Sequence, residues 1–373
     1  MIYLDNAATT YFKPYEVKQA VNNAINVYTA NAGRGGHYLA QLSAQKIFEV
    51  RQKVLEYFGA NNHVCIFTSG CTSALNLAIL GSVKQDGHVI TTYLEHNSVL
   101  RPLEYLKNQG KIDYTVVENL SIEEFEKDIN PNTYMIVTTQ ASNVTGERVN
   151  IKEINKLCKK YGLLHLVDTA QGAGHIFDSL GDVDMIAFAG HKGFYGLGGV
   201  GGLVVKNGLK LNPIMFGGTG TFSESLIQPD IAPEGFEAGT IPNINIVSLG
   251  AGIDYVLKNK QYIMTKEQRL HNEIIKMFNM LDNVTTYFSP TSVGVYSFNV
   301  GNLDSSFVSD YLNEKFRICT RSGLHCAPIV HKHFKTIDKG MVRVSLSCNN
   351  NIEDIKTLER ALNEIIKLSK FKD

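Results

Sequence analysis

The stretch Phe188-Ala189-Gly190-His191-Lys192-Gly193-Phe194-Tyr195-Gly196 decides how this chain is read. It follows a short apolar run, Val183 to Ala189, with the length and composition of a buried strand. Lysine usually sits on solvated faces. One pressed against packed backbone tends to lose its charge and become nucleophilic, and it can then form a Schiff base with a carbonyl group. Taken alone, His-Lys-Gly is better read as a surface turn with a snorkelling lysine.

The residues upstream change that reading. Leu163-Leu164-His165-Leu166-Val167-Asp168 is a second buried strand, and it ends in a carboxylate. A lysine and an acidic residue at the carboxyl ends of neighbouring parallel strands stand where open α/β sheets bind ligands. Enzymes that use pyridoxal 5'-phosphate need this pair: the lysine for the Schiff base, the carboxylate for the pyridinium nitrogen. Val167-Asp168-Thr169-Ala170-Gln171 followed by Gly190-His191-Lys192 resembles the class V aminotransferases, a family of fold-type I pyridoxal phosphate enzymes. Within it the chain resembles the cysteine desulfurases and selenocysteine lyases, from Tyr3-Leu4-Asp5-Asn6-Ala7-Ala8-Thr9-Thr10 to the helix after Arg343. The resemblance implies an α/β fold with a large domain built on a mostly parallel seven-stranded sheet and a small C-terminal α/β domain. The large domain is expected over 13–250, and the small one over 1–12 and 251–373.

Composition agrees with a globular enzyme. The 373 residues are 19% charged and 44% apolar, with a formal net charge of zero. That balance gives no reason to expect nucleic acid or an anionic membrane as partner. No apolar run approaches the ~20 residues needed to cross a bilayer, and Met1-Ile2-Tyr3-Leu4-Asp5 has no signal-peptide pattern. A cytoplasmic protein is expected. None of the six cysteines, 65, 71, 158, 319, 326 and 348, forms a Cys-x-x-Cys pair, so a zinc or redox pair is not expected.

Further candidates follow along the chain. Pro14 to Val27 and Leu42 to Phe58 have helical spacing, and between them lies the glycine-rich loop Asn31 to His37, with Arg34. In related desulfurases this arginine-bearing loop lies near the cofactor; a solvated loop is the equal alternative. After the strand His63 to Thr68, Ser69-Gly70-Cys71-Thr72-Ser73 opens a helix. Small residues at such a turn let N–H groups approach an anion, so Cys71 and Thr72 read either as a phosphate cradle or as an ordinary helix start. His96 follows the strand Val89 to Thr92 and matches the family's histidine that stacks on the pyridine ring. Such a ring suits proton handling. Asn143, after Tyr134 to Thr139, matches a loop that contacts substrate carboxylate and cofactor, or is a turn former. The resemblance gives Gln171 the cofactor's phenolic oxygen and makes His191 a cofactor neighbour. Thr240, in Phe236-Glu237-Ala238-Gly239-Thr240, is implied to reach the partner's cofactor phosphate in a homodimer. Gly196 to Gly202 is rejected as a dinucleotide motif, because it leads into the strand Leu203-Val204-Val205 rather than a helix. Beyond Ala251 the expected elements are helices Gly252 to Lys258 and Lys266 to Leu281, a strand Val293 to Val300, a helix Ser305 to Phe316, strands Arg317 to Arg321 and Met341 to Leu346, and a closing helix from Ile352.

Arg321-Ser322-Gly323-Leu324-His325-Cys326-Ala327-Pro328 reads as a mobile loop between strands. Arginine and histidine near a thiol favour the nucleophilic thiolate; a buried structural cysteine is the alternative. The stretch resembles the desulfurase loop, in its short form. Arg343 is an arginine inside an apolar strand and needs an anionic partner. The family supplies the substrate α-carboxylate, with Arg321 beside it; a structural salt bridge is the alternative. Ala189 replaces a frequent serine or threonine, so one phosphate hydrogen bond is expected to be missing. Leu324 replaces a frequent histidine.

The resemblance implies a desulfurase that converts L-cysteine to L-alanine. Lys192 moves the Cα proton, and Cys326 takes the sulfur as a persulfide for an acceptor protein or small thiol. The rival readings are a lyase acting on L-selenocysteine, a related aminotransferase or β-lyase that does not need Cys326, and a non-catalytic sulfur carrier.

Overall fold

The apolar runs pair as strands in three sheets. In chain order the strands are β1 (Ile2–Tyr3), β2 (His63–Thr68), β3 (Gly87–Thr92), β4 (Ile112–Val117), β5 (Thr133–Thr139), β6 (Leu164–Asp168), β7 (Met185–Ala189), β8 (Gly201–Lys206), β9 (Val284–Thr286), β10 (Val295–Val300), β11 (Ile318–Cys319), β12 (Arg321–Gly323) and β13 (Met341–Ser345). The computed structural model describes residues 1–33 and 35–369, so Arg34 lies outside the described residues.

Seven strands form the central sheet in the order β2-β8-β7-β6-β5-β3-β4. The β7–β6–β5–β3–β4 part is parallel, and β8 runs antiparallel to both of its neighbours. The expected mostly parallel seven-stranded sheet is therefore present. Every residue of β3, β5 and β7 is buried, as in a sheet covered on both faces. Helices provide the cover: Tyr38–Phe58 turns Ile47, Val50, Val54 and Phe58 inward, and Cys71–Gly81 is buried along most of its length.

A four-stranded antiparallel sheet, β12-β13-β10-β9, has its own core with the helices Lys260–Asn279, Ser305–Phe316 and Ile352–Ser369. The expected strand Arg317 to Arg321 is two strands. β11 pairs with β1 and β12 with β13, because Thr320 lies between two edges that belong to different sheets. The helix expected from Gly252 already begins at Asn243, behind Pro242. Its first turns bury Ile246, Val247 and Leu249, and Asn243 donates to the carbonyls of Tyr28 and Ala30 at 2.9 and 2.8 Å. No helix among the described residues is long and apolar enough to cross a membrane.

The N-terminal segment joins the two large sheets. Ser345 donates its N–H to Leu4 O at 2.7 Å, and Ala7 donates to Ser345 Oγ at 2.8 Å. Further along, the Thr10 hydroxyl lies 3.1 Å from the His191 carbonyl and 3.0 Å from that of Lys192.

Candidate active site

The parallel strands β5, β6 and β7 deliver their carboxyl ends to one place. Thr139 sits opposite Asp168 in register, and Asp168 opposite Ala187. The turn after β7 carries His191 and Lys192 and packs on the loop after β6 with no room for side chains. A Cβ on Gly174, whose φ is +89°, would stand 2.2 Å from the Gly193 carbonyl oxygen, and one on Gly193 would stand 2.1 Å from that of Ala173. These glycines let the lysine turn close onto the aspartate loop.

The result is a cavity of about 280 Å³ lined by Ser69 to Ser73, Leu75, His96, Ser98, Thr139, Ala141, Asn143, Asp168, Ala170, Gln171, Ala189, His191 and Lys192. Its size is near the lower end for small-molecule sites, about 300–1,000 Å³. Of the expected residues, Cys71, Thr72, His96, Asn143, Asp168, Gln171, His191 and Lys192 are thus brought together.

Burial pulls the Lys192 amine below its ordinary range; Asp168 opposes this, while Arg343 and Arg321 add to it. Asp168 is buried, and its Oδ1 accepts from Ala170 N–H at 2.8 Å and from the Cys71 thiol at 3.3 Å. Oδ2 has no protein donor among the described residues and is left for a cationic ring nitrogen. Burial and the nearby aspartate push the Cys71 thiol well up, so it acts as a neutral donor to Asp168. The helix from Cys71 starts at Gly70 with no side-chain cap, so its first N–H groups face the cavity as a ready anion site. Thr72 Oγ1 lies 2.8 Å from Ser98 Oγ, which is 2.9 Å from His96 Nδ1.

His96 caps its own helix: Nδ1 accepts from Ser98 N–H at 3.0 Å. Its pKa is pulled down to about 4, by burial first and then by Lys192, Arg321 and Arg343. The ring is therefore neutral near pH 7, with its proton on Nε2. His191 is held down at about 4 in the same way, mainly by burial, and its Nδ1 lies 3.0 Å from Thr9 Oγ1. Gln171 donates to the Ala7 carbonyl at 2.9 Å. The fit to pyridoxal phosphate is good: an uncapped helix N-terminus for the phosphate, a free carboxylate oxygen for the ring nitrogen, and a depressed lysine for the aldehyde.

The cysteine loop meets this cavity from the other sheet. Cys326 is exposed, its φ is +56°, and its carbonyl accepts from Asn97 N–H, next to His96, at 2.7 Å. Arg321 Nη2 is 3.9 Å from Cys326 Sγ. Asn143 Nδ2 donates to His325 O at 2.7 Å, and Arg343 Nη1 donates to Asn143 O at 3.0 Å. One expectation holds and two are corrected here. The loop is short, as expected, but it runs between a strand and a helix and not between strands: β12 already occupies Arg321–Gly323 and a helix begins at Pro328. His325 is no cation either: burial and the neighbouring Arg343 push its pKa well down, so Arg321 is the charged neighbour of the thiol. Thr240 lies outside this cavity and is exposed. Its segment is anchored to the sheet edge by Glu237, which takes both Nη groups of Arg51, at 2.6 and 3.0 Å, and the Phe67 N–H at 2.6 Å.

Two carboxylates escaped sequence reading. Asp5 pairs with Arg343, Oδ1 to Nη2 at 2.8 Å. Its signal was an acid in a short apolar strand end, with nothing nearby in sequence to pair with. Glu95, beside His96, is fully buried; Oε1 accepts from the Thr92 hydroxyl at 2.7 Å and Thr139 N–H at 2.8 Å, while Oε2 has no partner among the described residues. Burial, aided by Asp168, raises its pKa to about 8. The folded chain thus holds this proton over a range where the unfolded chain has released it. Stability falls as pH rises above the unfolded carboxylate value, and the fall ends near pH 8. In Glu95→Gln that slope should vanish, so the variant gains on the wild type by up to about 4 kcal/mol between pH 5 and 8. Urea unfolding at both pH values checks this; a pH-independent difference refutes it.

A family model described as Aminotransferase class-V matches residues 2–358. A protein named probable cysteine desulfurase from Methanothermobacter thermautotrophicus is 32% identical over 380 residues, covering 98% of this chain and 94% of that protein. A second, from Pyrococcus abyssi, is also 32% identical, with the same shares covered. The solved structure of a cysteine desulfurase from Thermococcus onnurineus has a TM-score of 0.89 and 30% identity, over 98% of this chain and 94% of that one.

Proposed function

The chain belongs to the class V aminotransferase family, and we infer from its site that it is a pyridoxal phosphate-dependent cysteine desulfurase. The observation that carries this is the convergence of Lys192, Asp168 and His96 in one cavity with Cys326 hydrogen-bonded beside it. When bound, the cofactor supplies an aldehyde and an electron-accepting ring.

The chain's own residues do the rest. Asp168 Oδ2 would hold the ring nitrogen, and Cys71 and Ala170 fix the carboxylate by engaging Oδ1. Neutral His96, in the cavity wall, would hold the ring from one face. Ser69 to Ser73 and the helix behind them would take the phosphate, and Ala189 has no hydroxyl to add. Lys192, its charge destabilised by burial, takes the substrate Cα proton and returns a proton to carbon. Arg343 and Asn143 hold the substrate carboxylate, and Arg321 stands at the thiol. Cys326 Sγ attacks the substrate sulfur: the S–S bond forms as the Cβ–S bond breaks, and the electron pair of the broken bond stays with carbon. L-cysteine and the enzyme thiol become L-alanine and a Cys326 persulfide. An acceptor protein or small thiol then takes the outer sulfur. In a homodimer Thr240 reaches the partner's phosphate; its exposure, and the exposed Phe216, Phe222, Leu226 and Ile227 before it, support that reading.

The test is alanine release and persulfide mass after mixing with L-cysteine and with L-selenocysteine. Turnover of selenocysteine alone makes the protein a lyase instead. For the carboxylate, Arg343→Lys keeps a charge for Asp5 but loses the planar fork. KM for L-cysteine should rise on the order of ten-fold or more, with cofactor affinity little changed. An unchanged KM leaves Arg343 a purely structural cation.

A further inference from the structure

We propose that Asp5 is a positioning residue for the substrate, which presets the Arg343 guanidinium to receive the substrate's carboxylate. This rests on the carboxylate role given above to Arg343.

Arg343 is 1% exposed, so its charge is out of water and its orientation is set by protein groups. Two such groups hold it, and they come from different parts of the chain. Asp5 Oδ1 takes Nη2 at 2.8 Å, and the Asn143 carbonyl takes Nη1 at 3.0 Å. With both terminal nitrogens held, the planar fork cannot rotate. Nε is left buried and without a partner, as is Asn143 Oδ1 on the neighbouring residue. Nε therefore places no restraint of its own, and the orientation of the fork is set by Asp5 and Asn143.

Asp5 is itself fixed by the strand that carries the arginine. It bridges Ser345, two residues beyond Arg343 and therefore on the same strand face. Ser345 also binds Leu4 O, Ala7 N–H and, through its carbonyl at 2.9 Å, Asn6 Nδ2. Leu4, Asn6 and Ala7 thus fix the backbone on both sides of Asp5. His325 is neutral, so Arg343 meets a second cation, Arg321, and is offset by Asp5 first and by the Cys326 thiol.

The experiment compares Asp5→Ala and Asp5→Asn in the cofactor-loaded enzyme. The first readout is the split between KM and kcat for L-cysteine. The second is the calorimetric Kd for 3-mercaptopropionate, which has the carboxylate and thiol of cysteine but no amine and needs no chemistry at Lys192. Asp5→Ala should raise KM and Kd on the order of ten-fold or more, with a much smaller change in kcat. Asp5→Asn keeps an acceptor oxygen for Nη2 and should recover most of the affinity. Affinity retained in Asp5→Ala, or equal losses in both variants, overturns the proposal. If Arg343→Lys also leaves Kd unchanged, the carboxylate reading itself has failed. If Arg343→Lys weakens binding and Asp5→Ala does not, only the role of Asp5 is refuted.

Discussion

Lys192→Ala should abolish alanine formation from L-cysteine and, with it, the yellow absorbance of the bound cofactor that borohydride bleaches. The expected loss of turnover is at least about 10⁴-fold, the upper range for losing a positioned acid–base group, before any covalent contribution is counted. Among the described residues no second lysine lines the cavity. Lys13, whose amine burial also lowers, to about 8, hydrogen-bonds to Thr10 Oγ1 at 3.2 Å and stands outside the lining. The variant should still fold, since among the described residues no hydrogen bond engages the lysine amine, and the glycine contacts that set the turn are backbone. Thermal unfolding separates a folded, inactive variant from a collapsed site. A folded variant that keeps both turnover and the borohydride-sensitive absorbance would remove Lys192 from the chemistry.

Cys326→Ala should lose the persulfide and nearly all alanine release from L-cysteine, yet bind pyridoxal phosphate normally. Cys326 is outside the cavity lining, so the cofactor does not depend on its sulfur. Alanine keeps the Cβ, so the left-handed backbone at this position is no more strained than with cysteine. The Asn97 N–H bond to the residue 326 carbonyl is retained as well. Loss of activity would then report the sulfur atom and not the loop. With L-selenocysteine the loss should be smaller, because selenium leaves carbon more readily. Mass spectrometry of the wild type after a single turnover should find one added sulfur, placed on Cys326 by peptide mapping. Full alanine release by the variant would make the thiol structural and favour an aminotransferase or β-lyase.

Lys192 and Asp168 were legible because each breaks an apolar run at a strand end, a local pattern that needs no partner to be seen. The same holds for the parallel order of β5, β6 and β7, since each apolar run is followed by a polar, glycine-bearing turn. Cys326 was legible only through the resemblance; by itself it is one of six thiols. What could not be read is whatever depends on distant partners. Asp5 and Arg343 are 338 residues apart, and neither names the other. The neutrality of His325 comes from burial beside Arg343, so a charge counted from sequence becomes neutral in the fold. Glu95 was passed over because carboxylates are ordinarily solvated, and only the packed sheet shows it fully enclosed. The early start of the helix at Asn243 was hidden because Pro242 and Asn243 resemble a turn; their contacts to Tyr28 and Ala30 make them the helix start instead.

The pairing of Leu4 to Ala7 with Ser345 also sets a schedule. These residues are synthesised well before β13, the last strand among the described residues. At about 5–20 residues per second, the 338 residues between Asp5 and Arg343 take roughly 20–70 s to synthesise. Throughout that interval the arginine fork does not exist and the first residues have no strand to join. The sheet that holds Lys192 and Asp168 can form meanwhile, so a nascent chain can acquire its lysine cavity well before it can grip a carboxylate. Substrate binding through that arginine is thereby withheld until β13 has been made.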